Sequence, residues 1–329
     1  MIFVTGGSGL VGSFLLPALL AQGHRVRALY RQRIPAMPGG EKIEWVQGDL
    51  RDTVVLRQAL VGVTHVFHCA GLVSYAPQDE QALQQTNVEG TMAVVDACLE
   101  QAGVRLCHVS SVAALGGNAK EQEEDAPKVV VLNESAKWDL GAEHPAYATS
   151  KYLAELEVWR GVSEGLSAVI VNPSVILGPA DWARSSTRLF RYAYQEHAFY
   201  TPTTLNLVDV RDVVDAMVHL ALRTTVSGER YILNAGALPL QEFLQQAAAC
   251  FQKKAPSVAV PNWAAEVIWR FEHTRAALTG ARPLITKDTA RAGRRATTYD
   301  TTKVQAATGL AFRPLAETIQ WCCTGLRPN

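Results

Sequence analysis

The stretch Ile2-Phe3-Val4-Thr5-Gly6-Gly7-Ser8-Gly9-Leu10-Val11-Gly12 decides the fold. A short apolar run passes into a glycine-rich turn, and Leu10–Ala21 then carries a helical pattern. The glycines permit a tight turn, close approach of the backbone to a pyrophosphate, and close packing of helix on strand. Glycines alone say little, because turns use them for positive φ anyway. The strand–turn–helix context makes this a dinucleotide-binding signal, with Gly6, Gly9, Leu10, Val11 and Gly12 as the expected phosphate cradle.

Working outward, strand-like runs recur at Arg25–Leu29, Ile43–Gln47, His65–Cys69 and Leu106–Ser110. Helix-like segments at Val54–Leu60 and Gln81–Gln101 separate them. This alternation predicts an α/β fold of the Rossmann type, a doubly wound parallel sheet with helices on both faces. Asn118–Glu143 breaks the rhythm; it carries the run Lys120-Glu121-Gln122-Glu123-Glu124-Asp125 and reads as a surface loop or flap. A helix over Ala146–Glu164 and a strand at Ala168–Val171 follow. Beyond Pro173 the pattern predicts helices at Trp182–His197 and Val210–Leu222, strands at Leu205–Val208 and Tyr231–Asn234, and mostly helix from Pro239 onward. Residues 1–172 with about 209–235 are therefore expected to form the nucleotide-binding domain. Residues from about 173 to 208 and from 236 to 329 would form a smaller, mostly helical substrate lobe. Trp263, Trp269 and Phe271 form an aromatic group there, expected to pack within the lobe rather than on a membrane surface.

Composition narrows the class. The 329 residues carry 31 Lys+Arg against 31 Asp+Glu, which gives no electrostatic reason to expect nucleic acid or an anionic membrane as a partner. No apolar stretch reaches the length of a membrane span, so no integral membrane segment is expected. Met1–Val4 leads straight into the glycine turn, so no signal peptide is expected. Cysteines at 69, 98, 107, 250, 322 and 323 lack CxxC pairing and read as buried thiols of a reducing compartment, the cytoplasm. His65 and His68, three apart on a strand, face opposite sides and are poor co-ligands, so no metal site is expected. Cys322, Cys323 and His108 read as structural.

The end of the second strand bears on the cofactor. A carboxylate there would bind the adenosine ribose hydroxyls, whereas an arginine would pair with a 2′-phosphate. The sequence places Tyr30-Arg31-Gln32-Arg33 at this point, with no acid, so Arg31 is the expected reader of NADP, with Arg33 second and NAD still possible. Farther along, Tyr147-Ala148-Thr149-Ser150-Lys151 puts a phenol and an ammonium on one helix face. A nearby cation favours phenolate and would lower the tyrosine pKa from about 10. Ser110-Ser111 adds hydroxyls at the carboxyl end of the fifth strand, where α/β sheets place their ligands.

In the order and spacing of these landmarks the chain resembles the extended short-chain dehydrogenase/reductase family over nearly its whole length. The matching stretches are Thr5–Gly12, Asp49-Leu50-Arg51-Asp52, His68-Cys69-Ala70-Gly71, Asn87-Val88-Glu89-Gly90-Thr91, Ser110-Ser111, Tyr147-x3-Lys151, Asn172-Pro173-Ser174-Val175 and Gly178-Pro179. Asp300-Thr301-Thr302-Lys303 and Thr308-Gly309 with Pro314 continue the match. The resemblance implies that Asp49 and Leu50 flank the adenine, and that Ala70 and Gly71 pass beneath the pyrophosphate and ribose. It makes Asn87 a further cofactor-binding position and sets Pro173 near the nicotinamide amide. Ser111 and Tyr147 would contact the reacting oxygen, and Lys151 would hold the nicotinamide ribose. Ser111 is preferred to Ser110 because it stands five residues before Gly116. The Ser111–Tyr147 interval is longer than is common in the family, the excess being the charged flap.

Several chemistries run on this scaffold. Ser111 is followed by Val112-Ala113-Ala114, without the acid/base pair a dehydratase would need. Thr203–Asp209 lacks the arginine with which an epimerase clamps a sugar-nucleotide diphosphate, although Asn172 matches an asparagine that touches the diphosphate in some epimerases. The branch most similar in look holds the dihydroflavonol 4-reductase, 3β-hydroxysteroid dehydrogenase and hopanoid-associated sugar epimerase types. The expectation is an NADP(H)-dependent oxidoreductase that interconverts a carbonyl and an alcohol on a largely apolar small molecule. The alternatives are a nucleotide-sugar epimerase and a non-catalytic NADP-binding sensor. Relatives that pair through the helices matching Gln81–Gln101 and Ala146–Glu164 imply a possible homodimer.

Overall fold

The computed structural model describes residues 1–116, 129–182, 186–261, 264 and 296–326. Strands covered by helices on both sides must be apolar on both faces. β1 (Ile2–Thr5) is buried at all four positions, and of the others in its sheet β5 (Arg105–Val109) is buried at all five. With β2 (Val26–Tyr30), β3 (Glu44–Gln47), β4 (His65–His68), β7 (Ser167–Pro173) and β11 (Glu229–Leu233) they form a seven-stranded sheet of order β11-β7-β5-β4-β1-β2-β3. Every pairing in it is parallel. Strand order reverses between β1 and β4, which opens a crevice at their carboxyl ends, the place where such sheets bind ligands.

α1 (Leu10–Ala21) and α7 (Val210–Leu222) cover one face; Leu15, Leu16 and Leu19 pack there with Val213 and Met217. α2 (Thr53–Ala59), α4 (Gly90–Leu99) and α5 (Ala146–Ser163) cover the other, where Leu56, Val94, Val95 and Val158 meet. A third core holds Phe190, Phe243, Leu244 and Ile319 under α6 (Thr187–Tyr194), α8 (Leu240–Cys250) and α10 (Leu315–Gly325). It packs on a sheet of β8 (Val175–Leu177), β10 (Thr204–Asp209) and β12 (Gly236–Pro239).

The carboxyl-terminal elements are fastened to α7 by buried charge. Asp209 caps α7 by accepting from the Arg211 N–H, and its Oδ2 also accepts from the Thr318 hydroxyl at 2.8 Å. Asp212, fully buried, pairs with the Arg313 guanidinium and accepts the Arg313 N–H at 2.9 Å. α9 (Thr302–Thr308) is tied to β11 by Lys303, which bonds Glu229 at 2.6 Å.

Several local expectations need correction. The helix expected at Gln81–Gln101 is broken into α3 (Glu80–Leu83), a π-helical turn at Gln84–Glu89, and α4. Part of the expected flap is a strand: β6 (Val129–Leu132) pairs in parallel with β14 (Ala296–Tyr299). A partner more than 160 residues away leaves no mark on local periodicity. Of the helix expected at Trp182–His197, the described residues show Thr187–Tyr194, after which β9 (Phe199–Tyr200) pairs with β13 (Val258–Ala259). Trp263, Trp269, Phe271 and the acidic part of the flap lie outside the described residues. Among the described residues no helix is long and apolar enough to cross a membrane, and no cluster could hold a metal ion. All six cysteines are free.

Candidate active site

The glycines of the first turn divide by cause. Gly6 adopts φ +71°, and a Cβ there would overlap the backbone of Ala70. A Cβ at Gly12 would overlap Gly6 and Gly7, so the chain's own packing demands both glycines. At Gly9, the N-cap of α1, a Cβ would meet only the Gly6 carbonyl at 3.1 Å. No side chain caps this helix start and no acid stands in its first turn, so its N–H groups and positive dipole end face the crevice. Leu10 lies toward Gly178, and Val11 is buried in the core. A Cβ on Gly71 would stand 3.4 Å from Asn87 Oδ1 and 3.7 Å from Lys151 Nζ, in ordinary contact. The chain itself therefore has room for a side chain at Gly71 and leaves that room open. An exposed helix N-terminus and an open glycine floor fit a dinucleotide.

A buried hydrogen-bond chain holds this floor. The Ala70 N–H donates to Thr5 Oγ1 at 3.3 Å, and Thr5 Oγ1 lies 2.7 Å from His68 Nδ1. On the other side, His68 Nε2 lies 3.0 Å from Thr91 Oγ1, whose hydroxyl donates to the Asn87 carbonyl. With the Thr91 proton spent on Asn87, His68 must donate from Nε2 and accept from Thr5 at Nδ1. That assigns a neutral imidazole with one tautomer, and burial pushes its pKa down to about 3. The Asn87 side chain clamps Leu72 through both its N–H (2.7 Å) and its C=O (2.9 Å), and donates to Ser150. These bonds sit in the π-helical turn, a distortion often found at functional sites.

At the adenosine end, Tyr30 closes β2 and packs edge-on to Trp45, and Arg31 is exposed beyond it. Asp49 turns to Arg51, accepting its backbone N–H at 3.0 Å; that bond chiefly holds the carboxyl below its ordinary pKa, with Arg31 a lesser charge nearby. Leu50 packs against Gly90 at the start of α4.

Ser111 and Tyr147 meet across the carboxyl end of β5. The Ser111 hydroxyl stands close enough to the phenol to favour its ionised form, whereas the hydroxyl of Ser110 is buried and unpartnered among the described residues. Lys151 is buried on the same face of α5, its ammonium donating to the Val109 carbonyl at 2.8 Å. Burial pushes this lysine down to about 8. The sequence expectation that Lys151 lowers the Tyr147 pKa is not met in the chain by itself. Burial raises the phenol, the neighbouring Tyr75 raises it further, and only the Ser111 hydroxyl opposes them. Tyr75 packs edge-on against Tyr147 with ring centroids 5.5 Å apart. Tyr75 itself is exposed. His108 is fully buried beside His68 and stays neutral, its pKa pushed down first by burial.

Pro173 ends β7 opposite Leu233, buried. Asn172, expected to face a diphosphate if the chain were an epimerase, is instead fully buried. Its amide donates to the Ser111 carbonyl at 2.9 Å and to Glu155. Both neighbours are acceptors, so the amide nitrogen must face them and no N–H remains for a ligand. Sequence reasoning missed Glu155, Tyr75 and the linking role of His68. For Glu155 a signal existed, since it repeats the spacing from Tyr147 to Lys151 on the same helix.

The sequence matches the family described as "NAD dependent epimerase/dehydratase family" over residues 2–236. It is 35% identical to the "Putative dihydroflavonol 4-reductase" of Synechocystis sp. over 97% of this chain and 93% of that protein. It is 33% identical to "Sterol demethylase protein B" of Methylococcus capsulatus over 78% and 76% of the two chains. Among solved structures, gox2253 superposes with a TM-score of 0.81 at 30% identity, covering 99% of this chain and 97% of that one. MoeE5 in complex with UDP-glucuronic acid and NAD has a TM-score of 0.74 at 22% identity over 98% of both, a likeness of fold alone. The chain belongs to the NAD-dependent epimerase/dehydratase family and is an NAD(P)-dependent oxidoreductase of the extended short-chain dehydrogenase/reductase type.

Proposed function

We propose that the chain is an NADP(H)-dependent reductase that interconverts a carbonyl and an alcohol on a largely apolar small molecule. The observation that carries this is the meeting of the Ser111 hydroxyl and the Tyr147 phenol at the sheet's crevice, with the exposed Tyr75 ring packed edge-on against Tyr147. When bound, the reduced nicotinamide supplies a hydride to the carbonyl carbon. Tyr147 gives its proton to the carbonyl oxygen as that oxygen gains charge, and Ser111 holds the oxygen by a hydrogen bond. A phenol raised by burial stays protonated at neutral pH, which suits a proton donor and hence the reductive direction. Lys151 loses its charge above about pH 8, so reduction should fall off on that alkaline side. Gly6, Gly9, Leu10, Val11 and Gly12 hold the pyrophosphate; Asp49, Leu50, Ala70, Gly71, Asn87 and Pro173 line the rest of the cofactor's path.

Arg31 supports the choice of NADP: it is exposed at the end of β2, ion-paired with none of the described residues, and no carboxylate precedes it on that strand. Against the epimerase alternative, Asn172 has no free N–H, and Arg211, just beyond β10, is engaged with Asp209 at 2.6 Å and with the Trp321 ring at 3.8 Å. The proposal keeps the two-domain division given above. It also keeps a cytoplasmic location, in line with the free thiols, and a homodimer through the helices that expose Met92 and Leu156.

The experiment is a titration with NADPH and NADH, followed by cofactor oxidation with phenanthrenequinone, aryl ketones and UDP-sugars. NADPH should bind more tightly, and Arg31→Ala should weaken it by about 1.5–3 kcal/mol while leaving NADH little changed. Equal affinity for the two cofactors would remove the NADP assignment. Thermal protection by a UDP-sugar beyond that given by the cofactor would favour the epimerase.

A further inference from the structure

Glu155 is 1% exposed and stands one turn beyond Lys151 on α5, on the face that carries Tyr147. Nothing in hydride transfer requires a carboxylate at this place, and a buried carboxylate persists only when paired and hydrogen-bonded. Its two oxygens have separate partners. Oε1 accepts from Asn172, whose amide also holds the Ser111 carbonyl. Oε2 pairs with Arg230 of β11 at 3.3 Å. The other N–H groups of Arg230 reach the carbonyls of Glu134 (2.9 and 2.7 Å) and Ala136 (2.8 Å). The Glu134 side chain returns to accept the Ile232 N–H at 2.9 Å. One carboxylate thus joins the backbone of Ser111, the proposed catalytic helix, the edge strand β11 and the chain that leads to Tyr147.

We infer that Glu155 is the positioning residue of the proposed active site, fixing Ser111 through Asn172, fixing residues 134–136 through Arg230, and placing a carboxylate one turn from the Lys151 ammonium. The inference rests on the reading of Ser111, Tyr147 and Lys151 as catalytic. Around Lys151 stand the Val109 carbonyl, the neutral His68 and His108, and Cys69, whose thiol burial keeps protonated. Glu155 is the charged group facing Lys151 among the described residues, and it opposes the loss of the lysine's proton. An ion pair that merely tied β11 to α5 would leave the titration of Lys151 unchanged.

The test measures NADPH affinity by protein fluorescence across pH 7–10, together with turnover of phenanthrenequinone. For the unmodified protein affinity should fall as Lys151 deprotonates, and Lys151→Met should abolish that limb. In Glu155→Gln, which keeps the shape and one of the two accepted hydrogen bonds but not the charge, the limb should begin about one pH unit lower. Glu155→Asp keeps the charge but falls short of Asn172; its limb should stay in place while turnover drops about tenfold. Should the Gln variant fail to fold, the Asp variant decides alone. A limb unmoved in folded Glu155→Gln, or unchanged turnover in Glu155→Asp, overturns the role of Glu155. A limb that survives Lys151→Met instead sinks the underlying assignment of Lys151.

Discussion

His68 has a folded-state pKa of about 3 against an ordinary 6.5, and the bond pattern around it leaves no place for a second ring proton. Protonation would set an N–H at Nδ1 against Thr5, whose own proton already points there. A group whose folded pKa is depressed is protonated first in the unfolded chain, so its contribution to stability is present above the unfolded value and is lost as pH falls through it. Between pH 7 and pH 5 the unfolded chain gains about three quarters of a proton at this histidine and the folded chain almost none. With 1.36 kcal/mol per pKa unit, the loss from His68 alone is about 2 kcal/mol. Urea unfolding at the two pH values measures it. The unmodified protein should lose stability on acidification, and His68→Gln, with no group to titrate, should lose about 2 kcal/mol less. The variant should be weaker at pH 7, because Thr5 and Thr91 no longer share one rigid ring. Identical pH dependence in the two proteins would refute the neutral, single-tautomer assignment.

Two further outcomes follow from the packing. Gly71→Ala should unfold like the unmodified protein but bind NADPH more weakly, because the added methyl fits the chain and takes space above the floor between Asn87 and Lys151; a calorimetric titration reads this. Arg313→Ala strands the fully buried Asp212 carboxylate and should cost about 3–5 kcal/mol in chemical denaturation, a loss that shrinks on acidification as Asp212 takes up a proton.

Much of the fold was legible because the burial of α/β layers writes itself into local pattern. Leu10–Ala21 and Val210–Leu222 are helices with the bounds that periodicity gave, since each lays a continuous apolar stripe on the sheet. What stayed hidden depends on distant partners. Val129–Leu132 is a strand only because Ala296–Tyr299 lies beside it, and its charged surroundings masked it. The π-helical turn is invisible to a pattern of 3.6, while the bonds from Asn87 to Leu72 and Ser150 accompany it. At the site, residue types and spacing brought out Ser111, Tyr147 and Lys151. They could not show that burial outweighs the lysine at Tyr147, because desolvation is a property of the packed state. Asn172 matches by motif an asparagine that touches the diphosphate in some epimerases, and the fold spends its amide on Ser111 and Glu155.

The most direct measurement is the turnover of Tyr147→Phe. The substitution keeps the ring against Tyr75 and removes the one proton the proposed chemistry transfers. NADPH affinity should survive, because Gly6, Gly9, Gly12 and Arg31 are untouched. Reduction of a carbonyl that the unmodified protein accepts should fall by about 10²–10⁴-fold, the usual loss of a general acid. Near-full carbonyl reduction by folded, NADPH-bound Tyr147→Phe would contradict the assignment of Tyr147 as proton donor.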